Sequence, residues 1–170
     1  MSNIISQICG LIVSIAAITS MQLKNIKFIL ICQLICNGVG AASYILLGGL
    51  SGCGIYLVAL AQVGVCFFYR IKNKKISGLT AGTFFALYIL CSVMTYQGPV
   101  DIISAFAAIT CALSLMQEKP SRYRIFMLLN GILWMIYDVN VSAYTMIISH
   151  IATTVSAGVG IIRLDLIKRK

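Results

Sequence analysis

Every lysine and arginine in this chain lies in or beside a short gap between long apolar runs, and that spacing limits the fold more than any motif does. The runs are residues 3–21, 28–47, 53–69, 77–95, 100–116, 123–137 and 142–162. All but the short sixth reach the roughly 17–25 residues that cross hydrocarbon as a helix. With seven spans, the odd-to-even gaps and the C-terminus share one side of a membrane. That side holds all 13 cations: Lys24, Lys27, Arg70, Lys72, Lys74, Lys75, Lys119, Arg122, Arg124, Arg163, Lys168, Arg169 and Lys170. The opposite gaps hold none, and Asp101 and Asp138 lie there. An even number of spans would scatter the cations over both sides. The positive-inside rule therefore predicts seven transmembrane helices, N-terminus out and C-terminus in.

Composition agrees. The chain is 60% hydrophobic and 10% charged, with a mean hydropathy of +0.99. A soluble domain of this size has neither use for so much apolar surface nor enough charge here to coat it. The net charge of +9 belongs to topology, so nucleic acid is not an expected partner; the lipid bilayer is. No basic leader segment precedes the first run, which reads as a span rather than a cleaved signal. The seven cysteines fall inside apolar runs without metal-ligand spacing, and read as small packing residues.

The apolar runs contain an internal repeat. Asn37-Gly38 in the second run and Asn130-Gly131 in the sixth are each followed by a tyrosine, Tyr44 or Tyr137, seven residues after the Asn. Seven residues is two helical turns, so Asn and Tyr share a face. Upstream, Ser20-Met21-Gln22-Leu23-Lys24 matches Leu115-Met116-Gln117-Glu118-Lys119. Gly52-Cys53 and Ala143-Tyr144 open the third run of each copy. Spans one to three thus match spans five to seven, with the fourth between them. One inverting helix between two triplets gives both the same orientation, the parallel-repeat plan. The expected organisation is a first repeat over 1–75, a linker helix over 76–97 and a second repeat over 98–170, ending in a basic tail.

This 3+1+3 pattern resembles the SWEET sugar transporters and the PnuC vitamin-precursor transporters. The small size, the early Gln22 loop and the Asn-Gly helix are most similar to the bacterial inner membrane YgjV family. The resemblance implies a multi-pass protein of the bacterial inner membrane. Its transporter relatives imply a substrate held mid-membrane between the triplets and reached by alternating access. The chain departs from the SWEET pattern in its prolines: the first run has none, and Pro99 stands at the outer start of the fifth. Gly10, Gly38, Gly64 and Gly131 are left as places of flexibility.

An amide in hydrocarbon is costly unless hydrogen-bonded, so the polar residues inside the runs are the candidate site. Gln33, Asn37 and Tyr44 share a face of the second helix; Asn130, Trp134 and Tyr137 share one of the sixth. They read either as cavity lining for a flat or sugar-like ligand or as polar glue between helices. The tyrosines also suit an outer aromatic belt. Under the family plan Gln62 on the third helix faces His150 and Thr153 on the seventh, which makes these natural substrate contacts. His150, the only histidine, has no acid within a span and reads as a neutral hydrogen-bonding group. No paired carboxylates, metal motif or nucleophile set is present, so neither an enzyme nor a cofactor is expected. The sequence predicts a facilitative transporter of a small neutral polar metabolite. The alternative is a non-transporting receptor or partner subunit on the same scaffold. Glycines at 48–49 and 158–160 leave a homo-oligomer open.

Overall fold

The computed structural model describes the backbone of residues 2–47, 50–94, 96, 98–140 and 144–167, and within these the side chains other than 2–7, 43–47, 50–54, 138 and 144–146. Tyr44, Asp138, the glycines at 48–49, the paired openings at 52–53 and 143–144 and the tail at 168–170 were all singled out from the sequence; their side chains lie outside the described residues, as does the backbone of 48, 49, 143 and the tail.

Seven α-helices follow one another: α1 Ser2–Gln22, α2 Ile26–Leu47, α3 Leu50–Ile71, α4 Gly78–Met94, α5 Asp101–Met116, α6 Pro120–Asn140 and α7 Tyr144–Gly160. A π-helical turn, Ile161–Leu166, continues α7. At about 1.5 Å per residue these helices are on the order of 24–33 Å long, close to the roughly 30 Å of a hydrocarbon core. Among the described residues, Ile147–Leu166 is a 20-residue helical stretch with a window of mean hydropathy 1.5. No strand occurs among the described residues.

Two boundaries correct the sequence reading. The sixth helix is a full 21 residues, not the short 123–137. Pro120, read as a stop, instead opens it; proline has no N–H, and the first helical position needs none. Arg122, which the sequence places in the gap, is consequently helical. At the other end α6 runs to Asn140, so Asp138 lies within it and does not cap it.

Neighbours in sequence are neighbours in space. α1 packs on α2, α2 on α3, α5 on α6 and α6 on α7, while α3 meets α5 and α7 meets α1. Six helices thus close a ring, and α4 lies outside it against α3 and α5. The central cluster draws on all six ring helices: Met21, Ile29, Leu30, Val63, Cys66, Leu115, Tyr123, Met127 and Ala157. A second cluster seats Tyr88 of α4 on Ala59, Ala108 and Ala112, small side chains that allow close approach. The outer surface is apolar: Leu11, Ile15, Phe28, Phe68, Leu79, Phe106 and Val155 are all exposed. So continuous an apolar exterior would be insoluble in water and fits lipid.

Candidate functional site

Hydrogen bonds at one end of the ring gather the helix termini that carry the cations. Arg124, near the start of α6, is buried; its Nε donates to the Met21 carbonyl at the end of α1 (2.7 Å), and an Nη to the Leu23 carbonyl. Its other Nη reaches both carboxylate oxygens of Asp165, at 2.8 and 2.9 Å. Arg70, at the end of α3, donates to the Met116 carbonyl at the end of α5 (3.0 Å) and to Glu118 (3.2 Å). Helix C-terminal carbonyls have no intrahelical donor left, and a cation there also suits the helix dipole. Arg124 of α6 therefore caps the end of α1, and Arg70 of α3 caps the end of α5. Sequence reasoning took both as topology signals and missed them. Their main partners are backbone carbonyls, which carry no side-chain signature.

A polar layer follows. Gln33 of α2 donates through Nε2 to the Tyr123 hydroxyl of α6 (2.7 Å) and to Ser20 Oγ of α1 (3.3 Å). Ser20 and Tyr123 lie 3.2 Å apart, and all three are buried. Alongside, α1 and α7 share hydroxyls and amides: Gln22 Nε2 donates to the Ser156 carbonyl (2.8 Å), and Ser14 and Ser149 oxygens are 3.1 Å apart.

The two Asn-Gly helices differ. Asn130 Nδ2 crosses to α5, donating to the Ala107 carbonyl (2.6 Å) and Thr110 Oγ1 (3.3 Å). Asn37 Nδ2 turns back to the Gln33 carbonyl of its own helix (2.7 Å). Gln62 is completely buried, and its Nε2 donates to the Ala112 carbonyl of α5 at 3.0 Å. Its Oε1 is buried without a partner. Thr153 bonds the Ser149 carbonyl one turn back, at 2.9 Å.

His150, on α7, faces α6. Its ring stacks on Trp134, centroids 5.7 Å apart and planes 12° apart. Trp134 meets Tyr137 edge-on at 5.5 Å, and the Tyr137 hydroxyl donates to Asp101 (3.3 Å), at the start of α5. Asp101 also accepts from the Gly98 N–H at 2.9 Å. Trp134, Tyr137 and His150 thus form one aromatic group between α6 and α7. On α3 the Tyr56 ring lies so near Gly40 of α2 that a Cβ there would sit 2.4 Å from it.

Two open hollows lie at the basic end, one lined by Gln117, Arg122, Ile125 and Phe126, the other around Arg70. Neither is lined by Asn37, Gln62, Asn130, Trp134 or His150. An apolar ring of helices with buried arginines at one end is the build of a small membrane protein, and the sequence matches the family model Imp-YgjV, bacterial inner membrane protein, over residues 4–168. The chain belongs to this Imp-YgjV family. It is accordingly a multi-helix protein of the bacterial inner membrane. No curated protein and no solved structure matches it.

Proposed function

We propose that this Imp-YgjV chain is a facilitative transporter for a small neutral polar metabolite. Two parallel three-helix repeats, 1–75 and 98–170, flank a linker helix, with the N-terminus outside and the C-terminus in the cytoplasm. The supporting observation is Gln62, a fully buried amide at a junction of the repeats whose carbonyl oxygen has no donor. A buried acceptor left unpaired costs about 1–3 kcal/mol, and a hydroxyl or N–H of a ligand would relieve it. Away from the arginine end, the seams on either side of the ring are uncharged amides and hydroxyls, groups that exchange partners with little penalty when repeats rock. With the repeats packed as described, a ligand reaches Gln62 only after they separate.

A second reading, a receptor or partner subunit, is favoured by Gln33, Asn130 and Tyr123 already having partners in place. Thermal unfolding of the purified protein with a panel of nucleosides, vitamin precursors and sugars separates the two readings. A ligand of the folded state raises the midpoint. For the transporter, Gln62→Met leaves basal stability within about 1 kcal/mol, since it removes an unpaired acceptor at similar volume. It also abolishes the ligand shift and uptake into proteoliposomes. Uptake unaffected by Gln62→Met, or a ligand that binds without crossing, overturns that reading.

A further inference from the structure

The second hollow, about 290 Å³, lies where α2 begins and α3 ends, and its lining includes Lys27, Arg70, Asn73, Lys74, Lys75 and Glu118. Four cations face one carboxylate, and that carboxylate is already shared with Arg70 at 3.2 Å. We propose that this hollow binds a phosphate group, carried by an anionic phospholipid headgroup or free in solution.

Arg70 carries the argument. It is only 9% exposed, and its Nε is buried with no partner. One Nη is committed to the Met116 carbonyl, and the other points to Glu118, whose side chain is 54% exposed. An exposed carboxylate is a weak and replaceable partner. Phosphate offers a guanidinium several acceptor oxygens at once, in the geometry its planar N–H fork matches. An arriving phosphate takes the Nη from Glu118, whose carboxylate turns out to water.

The chain after α3 brings the remaining cations to the same place. Asn73 adopts a left-handed backbone with φ 51°, a conformation asparagine tolerates better than most residues. The Lys74 N–H then folds back to the Tyr69 carbonyl at 2.9 Å, which sets Lys74 and Lys75 on the rim of the hollow beside Arg70. Lys72 takes another course, with its ammonium 4.3 Å from the Phe68 ring centre. Phe28, Phe68 and Ile71, each adjacent or near in sequence to a lining cation, are exposed. Cations above an exposed apolar wall match the order of headgroup and acyl chain in a lipid. On the proposed topology this end faces the cytoplasmic leaflet. Because Arg70 also holds the end of α5, an occupied hollow would fasten the junction between repeats.

The test uses the full chain in nanodiscs of phosphatidylcholine, with and without phosphatidylglycerol, and in phosphatidylcholine with added inorganic phosphate. Retained lipid is read by native mass spectrometry and stability by thermal unfolding. Two cations contribute roughly a factor of five each, so K74Q/K75Q should weaken phosphatidylglycerol retention about thirty-fold. E118Q, which removes the competing carboxylate, should strengthen it. The control K119Q/R122Q removes the same charge from the same end and should change retention far less. All substituted side chains are at least partly exposed, so the fold is expected to survive. Stabilisation by inorganic phosphate that K74Q/K75Q removes supports the site with free phosphate as its source. Selective retention of phosphatidylglycerol without a phosphate effect supports the lipid. Equal loss in the control, weaker binding by E118Q, or no response to either anion overturns the proposal.

Discussion

Asp165→Ala is expected to lower the stability of the folded chain by about 3–5 kcal/mol, the usual cost of leaving a buried charge without its partner. Arg124 has 1% of its side chain exposed, and Asp165 is its one carboxylate. Without Asp165 the guanidinium keeps the Met21 and Leu23 carbonyls, which neutralise none of its charge. Glu118→Ala is the matched comparison. Its carboxylate serves Arg70 in a similar arrangement but is 54% exposed, and an exposed pair is worth only about 0–1 kcal/mol. Unfolding of both variants in the same detergent measures the difference. A further variant, R124M/D165A, removes the buried charge together with its partner and should recover part of the loss. Asp165→Ala and Glu118→Ala losing the same small amount would show that Arg124 is not buried as described.

The arginines also mark where the sequence stopped being readable. Charge periodicity located seven helices because a membrane forces cations into the gaps, and that rule acts through the solvent rather than through contacts. It says nothing about which cations are buried. In the sequence Arg124 counts only as a flanking charge at the start of the sixth run, whereas the helix begins a turn earlier at Pro120 and carries Arg124 inward. The candidate amides were legible as a class for the same solvent reason: an amide in an apolar run must find a partner. Which partner depends on packing. Asn37 and Asn130 occupy matching positions, yet one bonds its own helix and the other bonds α5. Gln62 bonds α5 because α3 meets α5 at the closure of the ring.

One short repeat gained a physical meaning it did not have as sequence. Met21 and Met116, matched through their flanking residues, are the last turns of α1 and α5, and each carbonyl accepts an arginine N–H. The donors are not equivalent: Arg124 comes from α6 and Arg70 from α3. The repeat therefore keeps the acceptors, which are backbone, and lets the donors, which are side chains, come from different helices. The two fastenings are unequal: the Asp165 pair is the more buried, and the Glu118 pair is the more open to water.

The same asymmetry makes the two Asn-Gly glycines respond oppositely to alanine. At Gly38 an added Cβ would find its nearest neighbour, Leu60 Cδ1, at 3.9 Å, an ordinary contact. Gly38→Ala should therefore stabilise the helix by up to about 1 kcal/mol, the difference in helix propensity. At Gly131 the added Cβ would lie 2.0 Å from Thr154 Oγ1 and 3.3 Å from Thr154 Cβ. Threonine is stiff about χ1, so α7 must move away from α6, and overpacking of this kind costs about 1–3 kcal/mol. Gly131→Ala should destabilise the protein by about that amount less the propensity gain. The displacement would also separate His150 from Trp134, whose stacking needs α6 and α7 close. Trp134 is the only tryptophan, so its fluorescence reports that separation directly. Thr154→Ala removes the clashing hydroxyl, itself buried and unpartnered, and in that background Gly131→Ala should return toward the Gly38→Ala result. Equal effects at the two glycines, or a Gly131→Ala cost that Thr154→Ala leaves unchanged, would mean that the α6–α7 contact is not the close one and that the two repeats pack alike.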